Sequence, residues 1–233
     1  MAEHRAEALT AVHDLGDRVR PLNLARDRAL PVHPLLGGLF ADAGLRRGSV
    51  VACDGVAALS VALALSTAAS QTGSWIAVVG LGSFGMAAAV EWGVVMERVF
   101  RVAAPPPGQR ATIMAAAADG ADVVIASGAG VGPGDARRFT ARLATPGGVL
   151  LVVGDPGGFS PDLVCRVTST RWEGLGLGSG RLTARRVTVE CAGRRADRVR
   201  RVELWFPGPH GTLASVAAEV VELDVARPAA RVG

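Results

Sequence analysis

Four short apolar runs constrain this chain more than any other feature: SVVAC (49–53), WIAVV (75–79), DVVIAS (122–127) and GVLLVVG (148–154). Each is too short to be a helix. Each is apolar at successive positions rather than alternate ones, as expected of strands covered on both faces. Helical stretches separate them: VAALSVALALSTAAS after Gly55, MAAAVEWG, ATIMAAAADGA ending at Gly120, and DARRFTARLATPGG, stopped by Pro146-Gly147. A further β-like run, RVFRV (98–102), follows the second helix. Strands alternating with helices at this spacing predict a mostly parallel sheet with helices on both faces. The composition agrees: 49 % of residues are hydrophobic but only 4 % aromatic, so thin Ala/Val/Leu layers must form the core.

Beyond about residue 160 the pattern changes. DLVCRVTSTRWEGL, ARRVTVECAG, RRVELWFPG and a final VAAEVVELDV alternate polar and apolar residues. Alternation predicts half-exposed strands, placed as antiparallel strands at the sheet's far edge. At the other end, residues 3–19 carry Leu9, Val12 and Leu15 at helical spacing, followed by a polar linker with Pro21, Pro31 and Pro34. The expected organisation is an N-terminal helix and linker (1–30), one core (31–225) and a loose tail (226–233).

Several chemistries are excluded or disfavoured by residue type. All 25 basic residues are arginine, so the chain has no P-loop, Schiff-base or general-base lysine. Cys53, Cys165 and Cys191 are odd in number and lack C-x-x-C spacing, which predicts reduced cytoplasmic thiols rather than a disulfide frame or zinc site. Four dispersed histidines offer no metal set. The charged N-terminus does not read as a signal peptide. Residues 55–90 carry no formal charge, yet polar and glycine breaks leave no stretch of about 20 apolar residues, so no membrane span is expected.

Two ligand signatures need weighing. Gly80, Gly82 and Gly85 fit G-x-G-x-x-G between a strand and a helix, the arrangement of an NAD(P)-binding Rossmann turn. However, the next strand ends in RVAAPPP without the acidic residue that would hold a ribose, and Arg101 is the only residue that could be offered to an NADP phosphate. The first strand-helix junction, VVACDGVAALS, sits where a P-loop would lie. Gly55 can stand for its first glycine, Ser60 falls near the second, and no lysine follows. Ser127 occupies the place of the Walker B acid, and Asp155 suits a turn before Pro156.

The order of LRRGSVVACDG, VALALSTAASQTGSWIAVVG, WGVVMERVFRV and DGADVVIAS resembles the core of RecA-type recombinases. ALPVHPLL, GLRRGSVVA, GSWIAVVGL, the G-V-x-x-x-R-V segment from Gly93 to Val99 and RWEGLGLGSGRLTARR resemble more closely the actinobacterial ImuA-type (ImuA-prime) proteins. The resemblance spans residues 30–206, and none of its motifs is catalytic. It implies a RecA-like, P-loop NTPase-like sheet with antiparallel C-terminal edge strands and a degenerate nucleotide site at Gly55, Ser60, Gly82 and Ser127, with Gly82 where RecA has its catalytic glutamate. It further implies a non-enzymatic accessory role, without cofactor, in damage-inducible mutagenic translesion DNA synthesis (an SOS-response DNA-repair setting). The partners implied are an ImuB-type inactive Y-family polymerase and an error-prone C-family polymerase. The location implied is cytoplasmic, with nucleoid association on recruitment. Neither glutamine begins a clamp-binding run, so contact with the sliding clamp would go through a partner.

Candidate contacts to a partner or directly to DNA come from the C-terminal strands. Ten arginines lie between Leu163 and Glu203, densest at Arg194, Arg195, Arg198, Arg200 and Arg201. Trp172 precedes this stretch and Trp205-Phe206 ends it, offering aromatic anchors. The competing readings are a solvated, ion-paired hairpin for the arginines and one buried edge-strand residue for the Trp-Phe pair. The GLGSFG glycines, with no cofactor to hold, are expected to serve close strand-helix packing.

Overall fold

The computed structural model describes residues 28–106, 108–175 and 180–216. A small antiparallel hairpin opens the fold, β1 (Ala29–Pro31) pairing with β2 (Gly44–Arg46) around a four-residue helix α1 (Pro34–Gly37). Then come β3 (Val50–Asp54), α2 (Ala58–Gln71), β4 (Ile76–Val79), α3 (Met86–Glu91), β5 (Val99–Val102), α4 (Arg110–Gly120), β6 (Val123–Ala126), α5 (Pro133–Ala144) and β7 (Val149–Val153). Four strands follow: β8 (Leu163–Leu175), β9 (Gly180–Ala192), β10 (Arg200–Trp205) and β11 (Ala214–Ser215).

The main sheet has nine strands in the order β11-β10-β9-β8-β3-β7-β6-β4-β5. Strands β8, β3, β7, β6, β4 and β5 run parallel, and β9, β10 and β11 follow as antiparallel neighbours. The four apolar runs become β3, β4, β6 and β7, with every residue of β4 and β6 buried. Alternate residues feed two cores. Val51, Cys53, Ile76, Val78, Ile125 and Leu151 face α2, α3 and the small hairpin. Val50, Ala77, Val79, Val124, Leu150 and Val152 face α4 and α5, where Met114, Phe139 and Leu143 fill the layer. The long uncharged helix α2 is buried along most of its length. Its hydroxyls are satisfied locally: Ser66 and Thr67 both donate to the Leu63 carbonyl at 2.9 Å, and Ser70 donates to Thr67.

Three expectations change. β8 is not an antiparallel edge strand. It runs parallel to β3, with Val51 opposite Leu163 and Cys53 opposite Cys165, and only its other side begins the antiparallel ladder. The hairpin β1–β2 starts inside the stretch read as linker, and its Leu30 and Leu45 are core residues. The cysteines are not all reduced: Cys165 and Cys191 form a disulfide across β8 and β9, with Cα atoms 4.3 Å apart. Spacing along the chain could not reveal that bond, because it depends on the β8–β9 register. The predicted N-terminal helix (3–19), the strand-like VAAEVVELDV beyond its first residue Val216, and the tail lie outside the described residues. Among the described residues no helix is long and apolar enough to cross a membrane.

The hairpin also carries a pH-sensitive joint. His33 caps α1, its Nδ1 accepting from the Leu35 amide at 3.3 Å. Burial lowers its pKa below the ordinary 6.5, so the folded state prefers the neutral ring. A depressed histidine gives its full contribution above its unfolded pKa and loses it as pH falls through the folded one. Wild type is therefore expected to lose stability, in urea melts, as pH falls from neutral through the ordinary histidine value of 6.5. A His33→Asn variant, which keeps a cap but cannot titrate, should lose less.

Candidate functional site

In open α/β sheets, ligands bind beyond the carboxyl ends of the parallel strands. Here that edge is formed by the loops after β3, β4, β6 and β7. Only three residues, Gly55, Val56 and Ala57, separate β3 from α2. Gly55 turns with φ +85°, and Val56 projects outward, 97 % exposed. The N-cap of α2 is Ala57, which makes no side-chain cap. The end of β3 instead supplies its own anion. Asp54 Oδ1 accepts the Gly55 amide at 2.7 Å, and Oδ2 pairs with the Arg166 guanidinium from β8. The Gly55 hydrogen bond first, and Arg166 second, hold this carboxyl below its usual range. A carboxylate therefore stands at the mouth of the would-be phosphate loop, uses one of its amides and opposes a second negative charge. Ser60 lies in the first turn of α2, half-buried.

The GLGSFG loop is likewise occupied by protein. Gly80 has φ +71°, and a Cβ there would lie 3.2 Å from the Arg110 guanidinium. Arg101 donates through Nη2 to the carbonyls of Leu81 (3.1 Å) and Gly82 (3.0 Å), so it braces the loop rather than facing a phosphate. Arg110 donates to the Ala129 carbonyl at 3.0 Å, joining this loop to the one after β6. The packing role expected of the glycines fails at two of the three: Gly82 has open space around it, and Gly85 would meet only ordinary contact with Ala88. Helix α3 spans six residues, and β4 lies one strand in from the sheet edge, between β6 and β5. These features argue against a dinucleotide turn.

Ser127 and Asp155 both make turns. Ser127 Oγ accepts the Ala129 amide at 3.2 Å. Asp155 Oδ1 accepts the Gly157 amide at 2.9 Å, while its carbonyl accepts from Gly128. The two loops are in direct contact: a Cβ on Gly157 would lie 1.9 Å from the Gly128 oxygen. Among the described residues no group of three or more His, Cys, Asp or Glu side chains could hold a metal ion.

The C-terminal candidates divide. β3 pairs with β8 only as far as Arg166, and the backbone of β10 and the two residues after it bonds to β9 no farther out than Arg185. The outer ends of β8 and β9, beyond the Trp172–Arg185 pair, therefore form a two-stranded ribbon that extends past the sheet, with Trp172 at its base. Trp172 is 43 % exposed, with the Arg185 guanidinium 5.1 Å from its ring. Phe206 is not available as a contact. It is buried, meets Trp92 edge-to-face at 4.3 Å and accepts the Arg185 Nε at its carbonyl. Trp205 is half-buried. Arg200 pairs with Asp197 and Arg201 with Glu190, while Arg198 adds its charge beside Asp197. Arg194 and Arg195 converge on Asp162, a carboxylate whose Oδ2 accepts the Val50 amide at 3.0 Å. Sequence reading missed Asp54, Arg110, Arg166 and Asp162, because their roles come from partners far along the chain.

The fold and its strand-end loops define an α/β protein with a large, mostly parallel mixed sheet flanked by helices, compatible with RecA-like or Rossmann-like architecture. The chain belongs to the MT3502 N-terminal domain family, whose model matches residues 38–158, just over half of its 233 residues. That match runs from the α1–β2 turn to the loop after β7 and leaves the ribbon outside it. No curated protein matches the chain.

Proposed function

We propose that this protein is a non-catalytic, RecA-like accessory factor of damage-inducible mutagenic translesion synthesis. In this reading it works through contacts with an ImuB-type inactive Y-family polymerase and an error-prone C-family polymerase, reaches the sliding clamp only through them, and acts in the cytoplasm at the nucleoid. The observation that carries the non-catalytic part is the state of the strand-end edge. Asp54 takes up the Gly55 amide, Arg166 is paired with Asp54, and Arg101 and Arg110 brace carbonyls. The groups that would handle a nucleotide are tied to one another, and the chain has no lysine to replace them. The partner assignment rests on the ImuA-type resemblance.

Two measurements test the two halves. Calorimetric titration with MgATP should give no heat of binding up to millimolar nucleotide, and micromolar binding would overturn the non-catalytic reading. Co-expression with the ImuB-type protein and the C-family polymerase should allow this chain to be recovered on a tagged partner. Failure to recover it with either would remove the adaptor assignment.

A further inference from the structure

At the opposite edge of the sheet, where the parallel strands begin, a cavity of about 460 Å³ opens between α5 and the turn that joins β9 to β10. Three arginines line it: Arg137 from α5, and Arg194 and Arg195 from the turn. One carboxylate, Asp162, faces them, and it is already engaged by the Val50 amide and by Arg195 Nε at 3.0 Å. Arg194 is fixed in place by donating to the Ser160 carbonyl at 2.9 Å. Anchoring leaves donors to spare, since a guanidinium carries five N–H groups and these bonds use only some of them. Arg137 makes no hydrogen bond or ion pair with a described residue, so its charge is uncompensated. The neighbouring cavity differs: there Arg46, Arg195 and Arg200 meet Asp42, Asp162 and Asp197 in equal number.

We propose that the Arg137–Arg194–Arg195 cavity binds a phosphate group, presented either by a nucleic-acid backbone or by a small phosphorylated molecule. Guanidiniums on two separate elements, two of them held by backbone and carboxylate partners, can grip several oxygens of one phosphate with little ordering cost. The site shares the β7–β8 connection with the strand-end edge but includes none of Gly55, Ser60, Gly82 and Ser127, and it does not depend on the adaptor reading. It also shifts the weight of the basic C-terminal stretch. Arg200 and Arg201 each have a carboxylate of their own, whereas Arg194 and Arg195 share Asp162 and gain a third arginine that sequence spacing could not place beside them.

The test uses the full chain and an Arg137→Glu variant. Arg137 is exposed and lacks a described partner, so the variant should keep the wild-type melting temperature. Inorganic pyrophosphate is titrated by calorimetry, and a fluorescein-labelled single-stranded oligonucleotide by anisotropy across a salt series. Wild type should bind at least one probe, and Arg137→Glu should weaken that binding about tenfold or more. For the single-stranded oligonucleotide, the log–log salt slope should fall by about 0.7 with the loss of one phosphate contact. Oligonucleotide binding without pyrophosphate binding assigns the backbone as the source, and the reverse assigns a small molecule. No binding of either probe, or equal binding by the variant, overturns the proposal. An Arg194→Gln variant gives an independent check, since it should weaken the same probe.

Discussion

Replacing both Cys165 and Cys191 with serine is expected to destabilise the protein by about 3.5 kcal/mol. The figure follows from the 26-residue separation of the two cysteines and the chain entropy that a cross-link of that span removes from the unfolded state. The bond joins register partners within the sheet, where β8 still pairs with β3. Losing it frees the unfolded chain and loosens the β8–β9 ladder beside the core. Urea melts of the double variant, and of wild type treated with reductant, should both shift to lower midpoints. Coincident midpoints with and without reductant would mean that the bond does not contribute. Alkylation after unfolding, without reductant, should label Cys53 alone. Cys53 is the neighbour of Cys165 on β3, yet burial pushes its thiol up to about 12. It therefore stays protonated at neutral pH, and the thiolate that would attack the adjacent disulfide is scarce.

Phe206→Ala is expected to cost about 3–5 kcal/mol, the range for emptying a buried aromatic site. The ring is 1 % exposed, meets Trp92 edge-to-face, and lies 5.4 Å from the Arg185 guanidinium. Removing it opens a void in the larger core and takes a ring face from a cation whose pKa burial already lowers. Trp205→Ala, at the adjacent half-buried position, should cost clearly less. The comparison decides what the Trp-Phe pair does. If Phe206→Ala unfolds at the wild-type denaturant midpoint, the ring is not part of the core and returns to the list of contact residues.

The parts of the fold that were legible in sequence are those governed by burial. β4 and β6 are buried on both faces, and their uninterrupted apolar runs said so. β8 was legible as a strand but not in its direction. Alternation reports one exposed face, and it is the same whether the neighbour is parallel β3 or antiparallel β9. At the strand-end loops residue types were legible: no lysine, Ser127 after β6 and no acid after RVFRV. What occupies the site was not, since Asp54 meets Arg166 across 112 residues and Arg110 reaches Ala129 from a different loop. Phe206 and Trp205 are equally aromatic neighbours in sequence, and only the chain's path toward Trp92 decides which one is interior.

The central position of β3 has a consequence for the order of assembly. β8, β9 and β10 are joined by short connections and can pair as consecutive hairpins. β3 must wait for partners far along the chain, with Val50 opposite Leu150 and Val51 opposite Leu163. Closing loops of that length costs entropy before any pairing rewards it, so contacts of high sequence separation are slow to form. The antiparallel wing can assemble and take its cross-link while the parallel half is still open. If assembly follows sequence separation, the strand at the middle of the finished sheet is captured last, and pulse-labelled hydrogen exchange should protect the β9–β10 amides before those of β3.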